Sequence, residues 1–338
     1  MDLGKVDREF LDAHVLDHLG APREDVALGP AHGVDFGVVD VDGTALVAAT
    51  DPVSILPALG WERAAEFALG VVLADVAVSG IPPSHLAVSF SLPPEMTDEA
   101  FAAVWETIDA ECRDLGVSVL TGHTARYSGC SFPWVGAATA LAVGDHADVV
   151  RPDGARPGDR IVVTNGPAAE AAGLLTTLYP AGFDLDPDTL AAAQSRLEDA
   201  SCVREALRVA AAADVHAMHD ATEGGLAGAL NEVAAGAGVR IDVDGERVPY
   251  MDGVRAACRA LDVDPWACTS SGTLVVAVPP EAVDDALDAL HAEGATVAEV
   301  GCVSEGAGVY LDGERLEHPD VDPSWAAYER LATEHGDD

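Results

Sequence analysis

The stretch WERAAEFALGVVLADVAVSG, Trp61–Gly80, limits the possible folds more than any other part of the chain. Read at 3.6 residues per turn, it is apolar nearly all the way round, so a helix here must be covered on most sides. It stops at Gly80, and Pro82-Pro83 prevents it from continuing. The neighbouring segments supply the cover. FGVVDVDGTALVAATD, Phe36–Asp51, reads as two strands joined at Asp42-Gly43, a favoured hairpin turn. A strand is expected at Ser84–Leu92, then a helix at Asp98–Leu115 capped by Thr97, then strands in GVSVLTG and FPWVGAATALAVG. A short amphipathic helix, Asp7–Leu19, precedes them. Strands alternating with helices in this order give an α+β layer, one sheet covered by helices.

DHADVVRPDGARPGDR, Asp145–Arg160, breaks the pattern with clustered Pro, Gly and Asp and reads as a domain boundary. The expectation is two domains, residues 1–148 and 149–338. In the second, IVVTN, GTLVVAVP and TVAEVGCVS are strands. Helical periods fall on AAEAAGLLTTL, Pro187–Leu197, Cys202–Ala213, Gly224–Ala235, Pro249–Leu261 and Glu281–Ala292.

Charge excludes several classes of function. With 58 acidic and 18 basic residues among 338, the net charge is −40, spread along the whole chain. At molar salt the Debye length falls to about 3 Å and this self-repulsion largely vanishes. The composition therefore reads as adaptation to a high-salt cytoplasm, that of a halophile. No basic patch exists to neutralise phosphates, which argues against a nucleic-acid partner. Apolar runs are broken well short of about 18 residues, so no membrane partner is expected, and the N-terminus lacks a signal-peptide pattern. The six cysteines form no C-x-x-C pair and fit a reducing, cytoplasmic setting.

In so acidic a chain a single Asp is by default a solvated surface residue, but four occupy positions that chains usually give to small or apolar residues. Asp51 ends the strand ALVAATD, Asp75 lies inside the apolar helix, Asp35 follows Gly33 at the first strand, and Asp220 follows VHAMH. A carboxylate in an apolar helix costs several kcal/mol (about 3 or more) unless paired or metal-bound; Arg63 is one possible partner for Asp75. Carboxylates gathered at strand and helix ends also suit Mg2+, which completes its octahedron with substrate phosphates. HDATEGGLAGALNEVA, His219–Ala234, has two readings. Either Asp220 or Thr222 caps a helix, or Gly224-Gly225 lets a phosphate approach the N–H groups of the helix N-terminus while Asp220 holds a metal.

DLGK, GVDFGVV, AATDP, LADVAVSGIPP, LTGHTA, RPDGARPGDRIVVTN and HDATEGGLAGALNEVA occur here in one order, from about Gly4 to about Gly308. Together they resemble the aminoimidazole ribonucleotide (AIR) synthase superfamily, most of all the branch of the hydrogenase maturation protein HypE and its archaeal AIR synthase-related relatives. The resemblance implies an N-terminal α+β domain that dimerises with its mate, hence a homodimer, followed by a C-terminal α+β domain. It implies ATP and Mg2+ as cofactors and phosphoryl transfer to a carbonyl or similar oxygen of a small molecule. It places Asp35, Asp51, Asp75 and Asp220 as metal and phosphate carboxylates, with Asp51 and Asp220 catalytic. Thr50, Thr222, Gly224 and Gly225 join the nucleotide site.

The departures matter as well. Ala74 stands where the family usually has Asn, and His123 stands in the fourth motif where Asp or Glu is frequent. His123 is a possible ligand, although imidazole suits Mg2+ poorly; the alternative is a histidine hydrogen-bonded at a strand end. Glu223 replaces the Arg of hydrogenase-maturation members. Those members end in a carbamoyl-carrying cysteine, whereas the last thiol here, Cys302, lies far upstream of ERLATEHGDD, which argues against their cyanide-forming reaction. Lys5, the only lysine, is either a phosphate contact that becomes ordered on binding or an accidental survivor. Two functions stay open: an ATP-dependent enzyme, favoured by the four carboxylates, and a non-catalytic nucleotide-binding assembly or maturation factor, favoured by Ala74, Ala125 and the missing terminal cysteine.

Overall fold

A computed structural model of the chain describes residues 4–6 and 8–335. It divides into two compact units, one made of Arg23–Pro30 and Asp35–Val149, the other of Ala31–Val34, the chain from Val150 onward and the N-terminal residues up to Pro22. The helix expected at Asp7–Leu19 is shorter: α1 (Arg8–Leu11) runs into a single wider turn at Asp12–Leu16, and Asp7 lies outside the described residues.

The first unit holds a six-stranded sheet of β1 (Val26–Leu28), β2 (Gly37–Val41), β3 (Thr44–Ser54), β4 (Pro83–Leu92), β5 (Ser118–Arg126) and β6 (Trp134–Asp145), in the order β1-β2-β3-β6-β4-β5. Only β4 and β5 pair in parallel. The hairpin turns at Asp42 (φ 52°) and Gly43 (φ 87°), the left-handed pair that a two-residue turn demands. α2 (Trp61–Ala77) buries Ala64, Ala65, Ala68, Leu69, Val72, Leu73, Val76 and Ala77, as its apolar circumference requires. It packs on β3 and on α3 (Asp98–Leu115). Thr97 caps α3, its hydroxyl accepting the Ala100 N–H at 3.1 Å.

The second unit is built on a seven-stranded sheet of β7 (Arg160–Thr164), β8 (Ala217–Asp220), β9 (Arg240–Val243), β10 (Leu274–Val278), β11 (Val297–Ser304), β12 (Gly308–Leu311) and β13 (Glu314–Leu316), in the order β13-β12-β9-β11-β7-β10-β8. The helices are α4 (Ala169–Leu178), α5 (Pro187–Ser195), α6 (Val203–Ala212), α7 (Gly225–Ala237), α8 (Val254–Leu261), α9 (Val283–Ala292) and α10 (Pro323–His335). Leu226, Leu230 and Val233 of α7 pack on Ile161, Val163, Val275, Ile241 and Val300, forming one core. Ala171 and Leu175 of α4, Val254 and Leu261 of α8, and Leu331 of α10 form another. α8 starts later than the expected Pro249, because a turn closed by the Val254 N–H on the Met251 carbonyl precedes it. Among the described residues no helix is long and apolar enough to cross a membrane.

Candidate functional site

In the first unit, β3 does not end at Asp51. It continues through Pro52 to Ser54, Asp51 pairing opposite Ala138 and Pro52 opposite Ala137. Proline is tolerated because the ladder is already irregular at Val53/Ser54. Successive strand residues face opposite sides. Asp51 therefore shares the inner face with buried Val47, Ala49 and Val53, and is itself half-buried. Thr50 projects the other way, exposed, with its hydroxyl 2.9 Å from that of Thr139. Adjacent in sequence, Thr50 and Asp51 do not share a face.

Asp75 is half-buried in the last turns of α2, between buried Ala74 and Val76. The Arg63 pairing considered for it fails on distance, since a helix rises about 1.5 Å per residue and twelve residues separate them by about 18 Å. Asp35 is half-buried two residues ahead of β2. His123 is exposed on β5, its Nε2 3.1 Å from the Tyr127 hydroxyl, so it is hydrogen-bonded within an edge strand rather than at a strand end.

In the second unit, all four residues of β8 are buried, His219 at 2% and Asp220 at 3% exposure. The His219 Nδ1 donates to the Asp220 carbonyl at 2.7 Å. Beyond the strand, Gly224 (φ 82°) and Gly225 (φ 61°) are both left-handed and turn the chain into α7. A Cβ on Gly225 would lie 2.4 Å from the Cys268 carbonyl oxygen and 2.6 Å from that of Trp266. The close approach that this glycine permits is therefore of the protein's own backbone. Its N–H donates to the Thr222 carbonyl at 2.9 Å. The Gly224 N–H donates to the Asp322 carboxylate at 3.1 Å. Thr222 does not cap α7 with its side chain: Gly224 is the cap residue, and the Asp322 carboxylate takes its N–H.

Around this corner stand residues that sequence reasoning missed. Glu232, two turns into α7, lies 3.3 Å from His219 Nε2 and 3.6 Å from His318 Nε2. Burial alone would raise its pKa, but the His318 hydrogen bond and the charges of His219 and Lys5 bring it down to about 2. The Glu232 hydrogen bond in turn raises His318. Asp322 is raised by burial, against the hydrogen bonds it accepts from Ser324 and Gly224. Glu170 of α4 is raised by burial too, although it accepts from the Thr269 hydroxyl (2.6 Å) and the Ser271 N–H (2.9 Å). Glu232 was within reach of sequence reading, since Gly225, Gly228 and Glu232 fall at i, i+3 and i+7 on one helix face. Asp322 carries no local signal.

Lys5 reaches the same corner, its ammonium donating to the Thr222 hydroxyl at 3.1 Å and its backbone N–H to Glu223 at 2.7 Å. Lys5, Thr222, Gly224, Gly225 and Asp220 thus belong to the second unit, and Asp35, Thr50, Asp51, Asp75 and His123 to the first.

Two mixed sheets, each with its helices, define a two-domain α+β protein of a known architecture. Escherichia coli HypE shares it with a TM-score of 0.71 at 23% identity, over 93% of this chain and 96% of that one. AaThiL complexed with AMPPCP and TMP shares it with a TM-score of 0.69 at 23% identity, over 87% and 91%. At these identities the likeness is one of fold. Residues 33–143 match the N-terminal domain, and residues 156–314 the C-terminal domain, of AIR synthase related protein. The carbamoyl dehydratase HypE of Rhodobacter capsulatus is 31% identical over 69% of this chain and 68% of its own length. A putative hydrogenase expression/formation protein of Methanocaldococcus jannaschii is 24% identical over 95% and 96%. The chain belongs to the AIR synthase related family, close to HypE within it.

Proposed function

We propose that the protein is an ATP- and Mg2+-dependent enzyme that transfers a phosphoryl group to a carbonyl or amide oxygen of a small molecule. The observation that carries this reading is Asp220, a carboxylate only 3% exposed at the end of β8, directly ahead of the glycine turn. A carboxylate held at a strand end directly ahead of a glycine turn is a hard oxygen ligand of the kind Mg2+ takes beside substrate phosphates. The donor types suit that ion in each unit taken by itself: Asp220 in the second unit, and half-buried Asp35, Asp51 and Asp75 in the first, all offer hard carboxylate oxygens. When bound, Mg2+ and ATP would supply the transferable phosphoryl group and neutralise its charge. The chain's own part is to hold the carboxylates in place and to offer Lys5 and Thr222 as polar contacts. His123, bonded to Tyr127 on an exposed strand, is not needed for it. AaThiL, of the same fold, is complexed with AMPPCP, which supports nucleotide binding here.

A homodimer belongs to the same proposal. β5 is exposed along nearly its whole length at the sheet edge, with Val119 at 42% and Leu120 at 60%, and Trp134 and Val143 of β6 are exposed as well. An edge and face of this kind need cover. The second reading, a non-catalytic nucleotide-binding assembly factor, is favoured by one observation: both glycine amides of the α7 turn are already bonded within the chain.

The test is Mg-ATP binding and turnover in molar KCl, beside an Asp51→Asn, Asp220→Asn double variant. Binding with slow hydrolysis, both lost in the variant, is expected. Binding without turnover would select the assembly reading, and no binding by folded protein would exclude both.

A further inference from the structure

We propose that two segments from opposite ends of the chain, one holding Gly4 and Lys5 and the other Asp322 and Trp325, strap the 222–225 corner shut. The strap must release before an anionic group of a nucleotide reaches the corner's backbone amides. The inference deepens the nucleotide-binding reading above and rests on it.

The N-terminal half of the strap is a fitted contact. Gly4 (φ 103°) passes so close to Glu223 and Trp325 that a Cβ would lie 2.5 Å from Glu223 Oε2 and 2.6 Å from Trp325 Nε1. One carboxylate oxygen, Glu223 Oε2, accepts both the Lys5 N–H at 2.7 Å and the Trp325 indole N–H at 3.1 Å. Glu223 is thus the latch that ties both segments to the corner, and the Lys5 ammonium on the Thr222 hydroxyl adds a further tie. The C-terminal half is an internal anion. Asp322, 6% exposed, gives one oxygen to the Gly224 N–H at 3.1 Å and the other to the Ser324 N–H at 2.8 Å. Its carboxylate stands where a phosphate oxygen would stand at the N-terminus of α7, whose dipole favours negative charge.

Electrostatics work in the same direction. Asp220, Glu223, Glu232 and Asp322 surround the turn. Lys5 and His318 offset part of that negative charge, but the helix terminus can serve only one anion, so a phosphate takes its amides when Asp322 withdraws. The strap is made of a few hydrogen bonds to charged groups, each strong enough to hold a short segment and weak enough to exchange for a ligand's.

Lys5 is itself exposed, and the group that Glu223 holds is its backbone N–H, so hydrogen–deuterium exchange read by peptide mass spectrometry reports on the latch. The full chain, Glu223→Ala and Asp322→Asn are compared in molar KCl, with circular dichroism to establish that each is folded. Glu223→Ala is expected to exchange the Lys5 backbone N–H about tenfold faster than the parent, the ratio that loss of one charge-assisted hydrogen bond gives. An unchanged rate overturns the latch. Both variants are expected to bind Mg-ATP about tenfold tighter, because the competing carboxylate is freed or neutralised. Equal or weaker binding overturns the gate, and weaker binding in Asp322→Asn would make that residue a positioning residue for the turn. No Mg-ATP binding by any of the three sinks the nucleotide reading and the gate with it. The exchange rates then show whether the latch itself holds.

Discussion

Gly225→Ala separates the two jobs a glycine pair can do at a helix N-terminus. If Gly225 were there to admit a ligand, alanine would leave the fold intact and weaken binding alone. The geometry gives a different expectation. At φ 61° an alanine costs about 1–2 kcal/mol for the left-handed conformation alone. Its Cβ would also sit 2.4 Å from the Cys268 carbonyl and 2.6 Å from that of Trp266. Both are backbone atoms beside the Leu226–Leu230 core, so relief requires a main-chain shift, and such overpacking adds about 1–3 kcal/mol. The total of about 2–5 kcal/mol corresponds to a fall in Tm of very roughly 4–20 °C for a unit of this size. Gly224→Ala is the control: it is also left-handed, at φ 82°, but its Cβ would meet only Gly228 Cα at 3.7 Å and His318 Cε1 at 3.8 Å. It should cost only the conformational part, about 1–2 kcal/mol. Thermal unfolding followed by circular dichroism in molar KCl, with the three proteins side by side, measures both. A Gly225→Ala variant melting together with Gly224→Ala would refute the claim that backbone packing fixes this glycine.

Two further outcomes follow from charge. Burial, with Glu293 and Asp199 nearby, pushes Glu205 up to about 7. A carboxyl raised on folding favours the folded state while protonated, and that stability is lost as pH rises from its unfolded value near 4.3 through about 7. Glu205→Gln should therefore match the parent at pH 4 and exceed it by about 3–4 kcal/mol at pH 8, at about 1.4 kcal/mol per unit; equal gaps at the two pH values in urea titrations would show that the carboxyl is not held neutral. Net charge of −40 predicts a Tm that climbs with KCl up to molar concentration and then flattens as screening saturates. A salt-independent melt would mean that self-repulsion does not limit stability.

Local patterns were enough for much of the framework. The hairpin at Asp42-Gly43, the buried helix from Trp61, the Thr97 cap and most strands of both sheets follow from periods of two or 3.6 and from turn chemistry, which act within a few residues. Short strands such as β9, β12 and β13, and the C-terminal helix α10, escaped that reading because three or four residues carry no period, and α10 follows no clear apolar stripe.

At the candidate site the division is sharper. The sequence by itself determined that Asp220 precedes a glycine turn opening a helix, and that Asp51 lies in an apolar strand, because both are statements about adjacent residues. Only the tertiary structure decided what the turn's amides bind. Gly224 finds its acceptor 98 residues away in Asp322, and Glu223 finds Lys5 across 218 residues. No local rule anticipates such pairs, since a buried donor must be satisfied by whichever acceptor the packed chain brings to it. That choice is made when the sheet and its covering helices close, not by the residues on either side.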